Sequence, residues 1–391
     1  MHALLSRAPT ADLTPAAIAK GLGLERTFGS ARTLDHRARA GALPGEMANV
    51  AASIGAYDLW ARGIDGTGVG VALIDSGVGP AAGLDAPGAV IHGPDFTADA
   101  GTEWEGLDRT GHGTHLAGII AGRPLGGSGA SADFTGIAPG AHIISLKVAG
   151  EDGATEVPDV IRAIDWTIAH RHDRGLNIRV INLAFSTEFE GCGVDPLVRA
   201  VERAWESGIV VVVAAGNQGV DGPLPSPAQT RQALVVGALD ADGEVAEYSN
   251  RGDAARRPDV LAPGRSIVSV VPAGSPPLAE HPESVVGECL IKSTGTSQAA
   301  AVVSGALALL LQADPWLSPN RIQFALVATR PDESNLSTVE ARRSNMMHGC
   351  QSLGRFISAT PWRHSYLVRT SESEAQWSGL TWSGLTWSGL T

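Results

Sequence analysis

VGVALIDSGVG, residues 69–79, is a short run of Val, Ala, Leu and Ile that ends on Asp75, Ser76 and Gly77. It has no polar alternation, which suits a strand covered on both faces, as strands of a parallel sheet are. A carboxylate at the C-terminal end of such a strand stands where open α/β sheets place functional groups. Taken alone, Asp75 also reads as the start of a turn with Gly77. Four more runs share the pattern, at 142–148, 179–184, 209–214 and 233–239. Apolar residues at helical spacing predict helices over 157–172 and 195–207, a long buried Ala/Leu/Val helix over 298–312, and another over 319–328. Strands alternating with helices across 55–330 predict an α/β fold with a parallel sheet and helices on both faces.

The 391 residues suffice for one large α/β domain with extensions, and 43% hydrophobic against 18% charged residues supply its core. A net charge of −12 sets aside a nucleic-acid role, which needs clustered Lys and Arg. Cys192, Cys289 and Cys350 are odd in number and widely spaced, so they give neither a disulfide framework nor a zinc set. No apolar run is long enough to predict a membrane span. The opening MHALLSRAPTADLTP also lacks the apolar stretch of a signal peptide, which leaves the compartment open. Residues 1–54, Ala-rich with a helical pattern over 14–24, read as an N-terminal extension, a candidate partial pro-segment. Residues 331–376 form a polar C-terminal extension, and 377–391 are three WSGLT pentads. The pentads read as an exposed low-complexity tail, with a docking segment as the alternative.

Three other motifs carry chemistry. In DRTGHGTHLAGIIAG, residues 108–122, glycines at 111 and 113 flank His112 at a helix start, which leaves an imidazole accessible as a general base. His115, three residues on, competes for that role or is a hydrogen-bonded structural histidine; no Glu accompanies the pair in a zinc-protease arrangement. In KSTGTSQAAAVVSGALALLLQ, residues 292–312, Ser297 heads the buried helix. There it is either a nucleophile beside backbone N–H groups or a plain N-cap. GIVVVVAAGNQG, residues 208–219, ends a buried strand on Asn217, either an oxyanion donor or a turn former.

Together, Asp75, His112, Asn217 and Ser297 each stand on a glycine-marked junction and each meets a different need of acyl transfer. Ser297 would attack, His112 would move the proton, and Asp75 would orient the imidazole. Asn217 and the Ser297 N–H would hold the oxyanion. With ALIDSGV, GHGTHLAG, VVAAGNQG and GTSQAA in register, the chain resembles the subtilisin-like serine protease family over about residues 55–329. GIAPGAHIISLKV, residues 136–148, resembles the family's lead into its next strand.

The resemblance implies a three-layer sandwich with a seven-stranded, mainly parallel sheet. It implies hydrolysis of peptide bonds in polypeptide substrates bound as an added strand, with no cofactor required. It places Ala184, Phe185 and Ser186 on one wall of the substrate cleft and Ala214, Ala215, Gly216 and Gln218 on the other. A monomer is expected. Structural calcium is common in the family, and Asp95, Asp99, Glu103, Glu105 and Asp108 make an acidic loop of suitable ligand type. Resemblance to secreted members with Trp-Ser-Gly repeats implies export. The chain departs from the family at Gln298 and Ala301, where Met and Pro are usual, and at Ser186, where glycine is usual. The alternative to an active endopeptidase is a catalytically silent binding protein on the same scaffold.

Overall fold

The apolar run that ends on Asp75 forms a strand buried along its whole length in a computed structural model that describes residues 45–125, 134–187 and 195–328. The described chain opens with two short helices, α1 (Met47–Ser53) and α2 (Ala56–Trp60). Then come β1 (Gly70–Asp75), β2 (Val90–Asp95), α3 (His112–Ala121), β3 (His142–Lys147), α4 (Val157–His170) and β4 (Ile178–Leu183). These are followed by α5 (Pro196–Glu206), β5 (Val210–Ala214), β6 (Leu234–Leu239), β7 (Val260–Pro263) and β8 (Ile267–Val270). The last are α6 (Pro276–Glu280), β9 (Val285–Val286), β10 (Leu290–Ser293), α7 (Thr296–Ala313) and α8 (Pro319–Ala328).

β1 to β7 form one sheet in the order β2-β3-β1-β4-β5-β6-β7, with every pairing parallel. β2 and β3 lie to one side of β1 and β4 to β7 to the other. The chain therefore reverses its direction of strand addition at β1, and the crevice at that strand's C-terminal end is where open sheets bind ligands. β8, β10 and β9 make a small antiparallel sheet.

β5 shows why the strands lack polar alternation. Val210, Val212 and Ala214 pack into the core on one face, with α1, α3 and α7. Val211 and Val213 pack into the core on the other, with α4 and α5. Successive side chains on a strand point to opposite faces, so a sheet covered on both faces needs apolar residues throughout. The result is helix layer, sheet, helix layer.

Local signals fix the outer helices. α5 starts with Pro196 behind the N-cap Asp195, whose carboxylate accepts the Leu197 N–H at 2.8 Å, and buries Leu197, Ala200, Val201, Ala204 and Trp205 as one stripe. α7 is the one described helix long and apolar enough to cross a membrane, yet 89% of it is buried inside the fold. Its far end is fastened: the Gln312 side chain accepts the Gly66 N–H at 2.6 Å and donates to the Gly63 carbonyl at 3.2 Å, just before β1 begins.

The five expected strands appear with bounds shifted by about one residue, and the four expected helices appear. β2, β7 and the antiparallel sheet were not anticipated. α1 belongs to the packed unit, whereas the sequence of residues 1–54 reads as an extension. Met47, Val50, Ala51 and Ile54 are buried in the core, and the Gly45 carbonyl accepts the Val268 N–H at 2.9 Å. The helical pattern over 14–24, residues 331–376, the WSGLT pentads, Cys192 and Cys350 lie outside the described residues.

Candidate active site

Asp75 closes β1 at the switch point and is fully buried. Its Oδ1 accepts the Ser76 N–H at 2.8 Å and the Ser76 hydroxyl at 3.2 Å, and lies 2.8 Å from His112 Nδ1. His112 is the first residue of α3. That helix can start against the strand end only because residue 113 is glycine: a Cβ there would lie 2.1 Å from the Gly77 carbonyl oxygen and 3.0 Å from Asp75 Oδ1. Gly111, with φ of 87°, supplies the left-handed turn into the helix. The two glycines that flank His112 in the sequence thus serve approach and entry.

Burial favours the neutral imidazole, but the Asp75 charge and hydrogen bond outweigh it and hold His112 above its usual value of 6.5. His115, one turn on, behaves differently. It is fully buried with Nε2 at 3.2 Å from the Ile291 carbonyl, and burial pushes it down to about 3. It is a neutral histidine that ties α3 to the antiparallel sheet.

Ser297 is the second residue of α7; its hydroxyl is buried and makes no hydrogen bond in this structure. Asn217 follows β5, and its Oδ1 accepts both the Thr296 N–H at 2.8 Å and the Thr296 hydroxyl at 2.9 Å. Thr296 Oγ1 in turn accepts the Gly216 N–H at 3.2 Å. These bonds tie the Asn217 side chain, through its oxygen, to the residue that precedes Ser297. The structure thus joins Asp75 to His112, and Asn217 to the head of α7.

Residues 66–349 match the subtilase family, peptidase S8. The chain belongs to the subtilase family. Its relatives include serine protease AprX of Bacillus subtilis strain 168, 35% identical over 278 residues that cover 67% of this chain and 61% of AprX. The major intracellular serine protease of the same organism is 33% identical over 264 residues, covering 66% of this chain and 72% of the relative. Among solved structures, a cold-adapted subtilisin-like serine proteinase superposes with a TM-score of 0.53 at 25% identity, covering 70% of this chain and 86% of that one. The family is one of subtilisin-like serine peptidases.

In this subtilase the residues expected along the substrate cleft follow β4, or close and follow β5. Ala184, Phe185, Ala214 and Ala215 have fully buried side chains that pack into the two cores, and Ser186 and Gly216 are buried as well. Gln218 is exposed; its side-chain oxygen accepts from Asn250 Nδ2 at 2.7 Å.

The acidic loop does not fit calcium. Its centre is taken by the ammonium of Lys147, a buried residue at the end of β3, which donates to Asp99 Oδ2 at 2.6 Å and to the carbonyls of Leu107 and Trp104 at 2.7 and 3.2 Å. Asp95 turns its oxygens to the N–H groups of Thr97 and Gly106 at 2.8 and 2.9 Å. Asp108 is wholly committed to protein donors, and Glu103 is exposed. A fixed cation already stands among the oxygens that a divalent ion would need. Among the described residues, no group of three or more His, Cys, Asp or Glu is arranged to hold a metal.

Sequence reasoning passed over Thr296, which orients Asn217, and Ser76 and Lys147, which organise the Asp75 end of the site. Each stands inside a quoted motif, so its position is visible in the sequence. Its partner, 79 residues away for Thr296, is not.

Proposed function

We propose that the chain is an active serine endopeptidase with Asp75, His112 and Ser297 as its triad and Asn217 in the oxyanion hole. The observation that carries this reading is the 2.8 Å contact between Asp75 and His112 Nδ1, since it commits that nitrogen to the carboxylate and leaves Nε2 as the base. Ser297 Oγ attacks the carbonyl carbon of the scissile bond and gives its proton to His112 Nε2. The carbonyl oxygen becomes an oxyanion, met by Asn217 Nδ2 and the Ser297 N–H at the positive end of α7. Collapse breaks the C–N bond, and His112 returns the proton to the departing amine. Water then hydrolyses the Ser297 ester by the same steps in reverse order.

The test is labelling with a fluorophosphonate, which reacts with an activated serine, followed by peptide mapping. Labelling at Ser297 that is lost in His112→Ala supports the triad. An unlabelled folded protein overturns it in favour of a silent scaffold. On the scale established for subtilisin itself, Ser297→Ala lowers kcat by roughly 10⁶-fold and Asn217→Ala by about 10² to 10³-fold. Hydrolysis of a chromogenic peptide measures both.

A further inference from the structure

Behind the Asp75–His112 pair lies a second carboxylate that the mechanism above leaves idle. Asp108 is buried in the loop that leads into α3 and accepts six hydrogen bonds. Five come from its own loop and helix: the N–H and hydroxyl of Thr110 at 3.0 and 3.1 Å, the Gly111 N–H at 2.8 Å, and the N–H and hydroxyl of Thr114 at 2.8 and 2.6 Å. These fold the entry to the helix that carries His112. The sixth comes from Ser76, whose Oγ lies 2.9 Å from Asp108 Oδ1 and 3.2 Å from Asp75 Oδ1. The Ser76 hydroxyl oxygen already accepts the Gly113 N–H at 3.0 Å. It has one proton and two carboxylates to which it can donate.

We propose that Asp108 is a positioning residue for the catalytic pair, acting through the Ser76 hydroxyl to stabilise His112 as the imidazolium. While His112 is neutral, the Ser76 proton can serve Asp75. When His112 takes the proton from Ser297, its Nδ1–H bond to Asp75 becomes charge-assisted, and the Ser76 proton swings to Asp108. Asp75 then loses a competing donor just as the imidazolium needs it. No bond forms or breaks in this step; one hydroxyl rotates. Burial pushes the Asp108 carboxyl up, its six donors hold the ionised form against that, and in that form its charge favours the cation on its own account.

Among the described residues, these ionisable groups lie on the elements around His112. Asp75 comes from β1, Asp108 from the preceding loop, and neutral His115 from the same helix. α7 contributes none along Thr296–Ala313, and β8 none along Ile267–Val270. α6 offers only the exposed Glu280, and β10 the half-buried Lys292. Lys147 directs its ammonium to Asp99 and two carbonyls.

This inference rests on the triad reading, so its test includes a signal that needs no turnover: the Nδ1–H resonance of His112, followed by proton NMR as pH is varied. Asp108→Asn is expected to lower the His112 pKa by roughly one unit and kcat about ten-fold at unchanged KM, because one unit and one decade are the same loss of imidazolium stabilisation. The acid limb of kcat/KM moves with it. Ser76→Ala keeps the other five bonds to Asp108; it is expected to shift the Nδ1–H resonance and lower kcat several-fold, and it decides the matter if Asp108→Asn does not fold. Folded variants with an unshifted resonance and an unchanged pH profile overturn the proposal. If Ser297 takes no label while the resonance still shifts, the triad reading fails and the coupling stands.

Discussion

The side chains proposed to carry the chemistry of this subtilase are held by residues with no proposed chemical role of their own. Thr296 gives Asn217 two hydrogen bonds, one from its backbone and one from its hydroxyl. Thr296→Val removes the second and keeps the first, so kcat is expected to fall about ten-fold, short of the loss in Asn217→Ala, with KM unchanged. Steady-state kinetics on a chromogenic peptide checks the split. Since His112 is held above 6.5 and must be neutral to act as a base, activity falls as pH drops through a value above 6.5. The four residues with proposed chemical roles were legible because glycine marks each junction. Ser76 and Thr296 were on the page too, but a hydroxyl announces nothing until its partner, tens of residues distant, is placed beside it.

Central elements were legible and peripheral ones were not, for a physical reason. A strand buried on both faces must be apolar throughout, so β1 and β3 to β6 stood out as runs. β2 is a half-buried edge strand interrupted by Gly93 and Pro94, and β7 spans four residues at the other edge and ends on Pro263. α1 has seven residues, too few for a period to show. Its packing is nonetheless substantial. Burying Met47, Val50 and Ile54 contributes roughly 5 kcal/mol in total. A chain that begins at Gly55 should therefore unfold at a markedly lower denaturant concentration than one that begins at Gly45. The acidic loop depends on one side chain. Lys147→Met leaves Asp99 without its buried partner and the Leu107 carbonyl without the ammonium that donates to it. Its expected cost is about 3 kcal/mol, read from chemical denaturation.

Across the whole molecule, fold class and sheet type followed from strand and helix alternation, whereas the strand count came from family resemblance. The internal distribution of charge was invisible at that level. His115 sits neutral in the core with a value near 3, far below its ordinary 6.5. A depressed histidine supplies its stability in full above 6.5 and loses it as pH falls toward 3, because the unfolded chain takes up the proton first. The loss is roughly 3 kcal/mol between pH 6.5 and 4. Equilibrium denaturation across that range should show it, and His115→Gln, which no longer titrates, should flatten it. The Gln312 fastening acts over the same span. α7 is a rod of 18 residues, about 27 Å, with Ser297 at one tip and Gln312 at the other, tied to the root of the strand that ends in Asp75. A tilt of roughly 2° about that anchor would carry the serine tip some 1 Å sideways, enough to cost a reaction about two decades of rate. The alignment tolerance of the proposed catalytic centre is therefore set partly at the opposite end of α7, where a surveyor would look for the benchmark and not for the target.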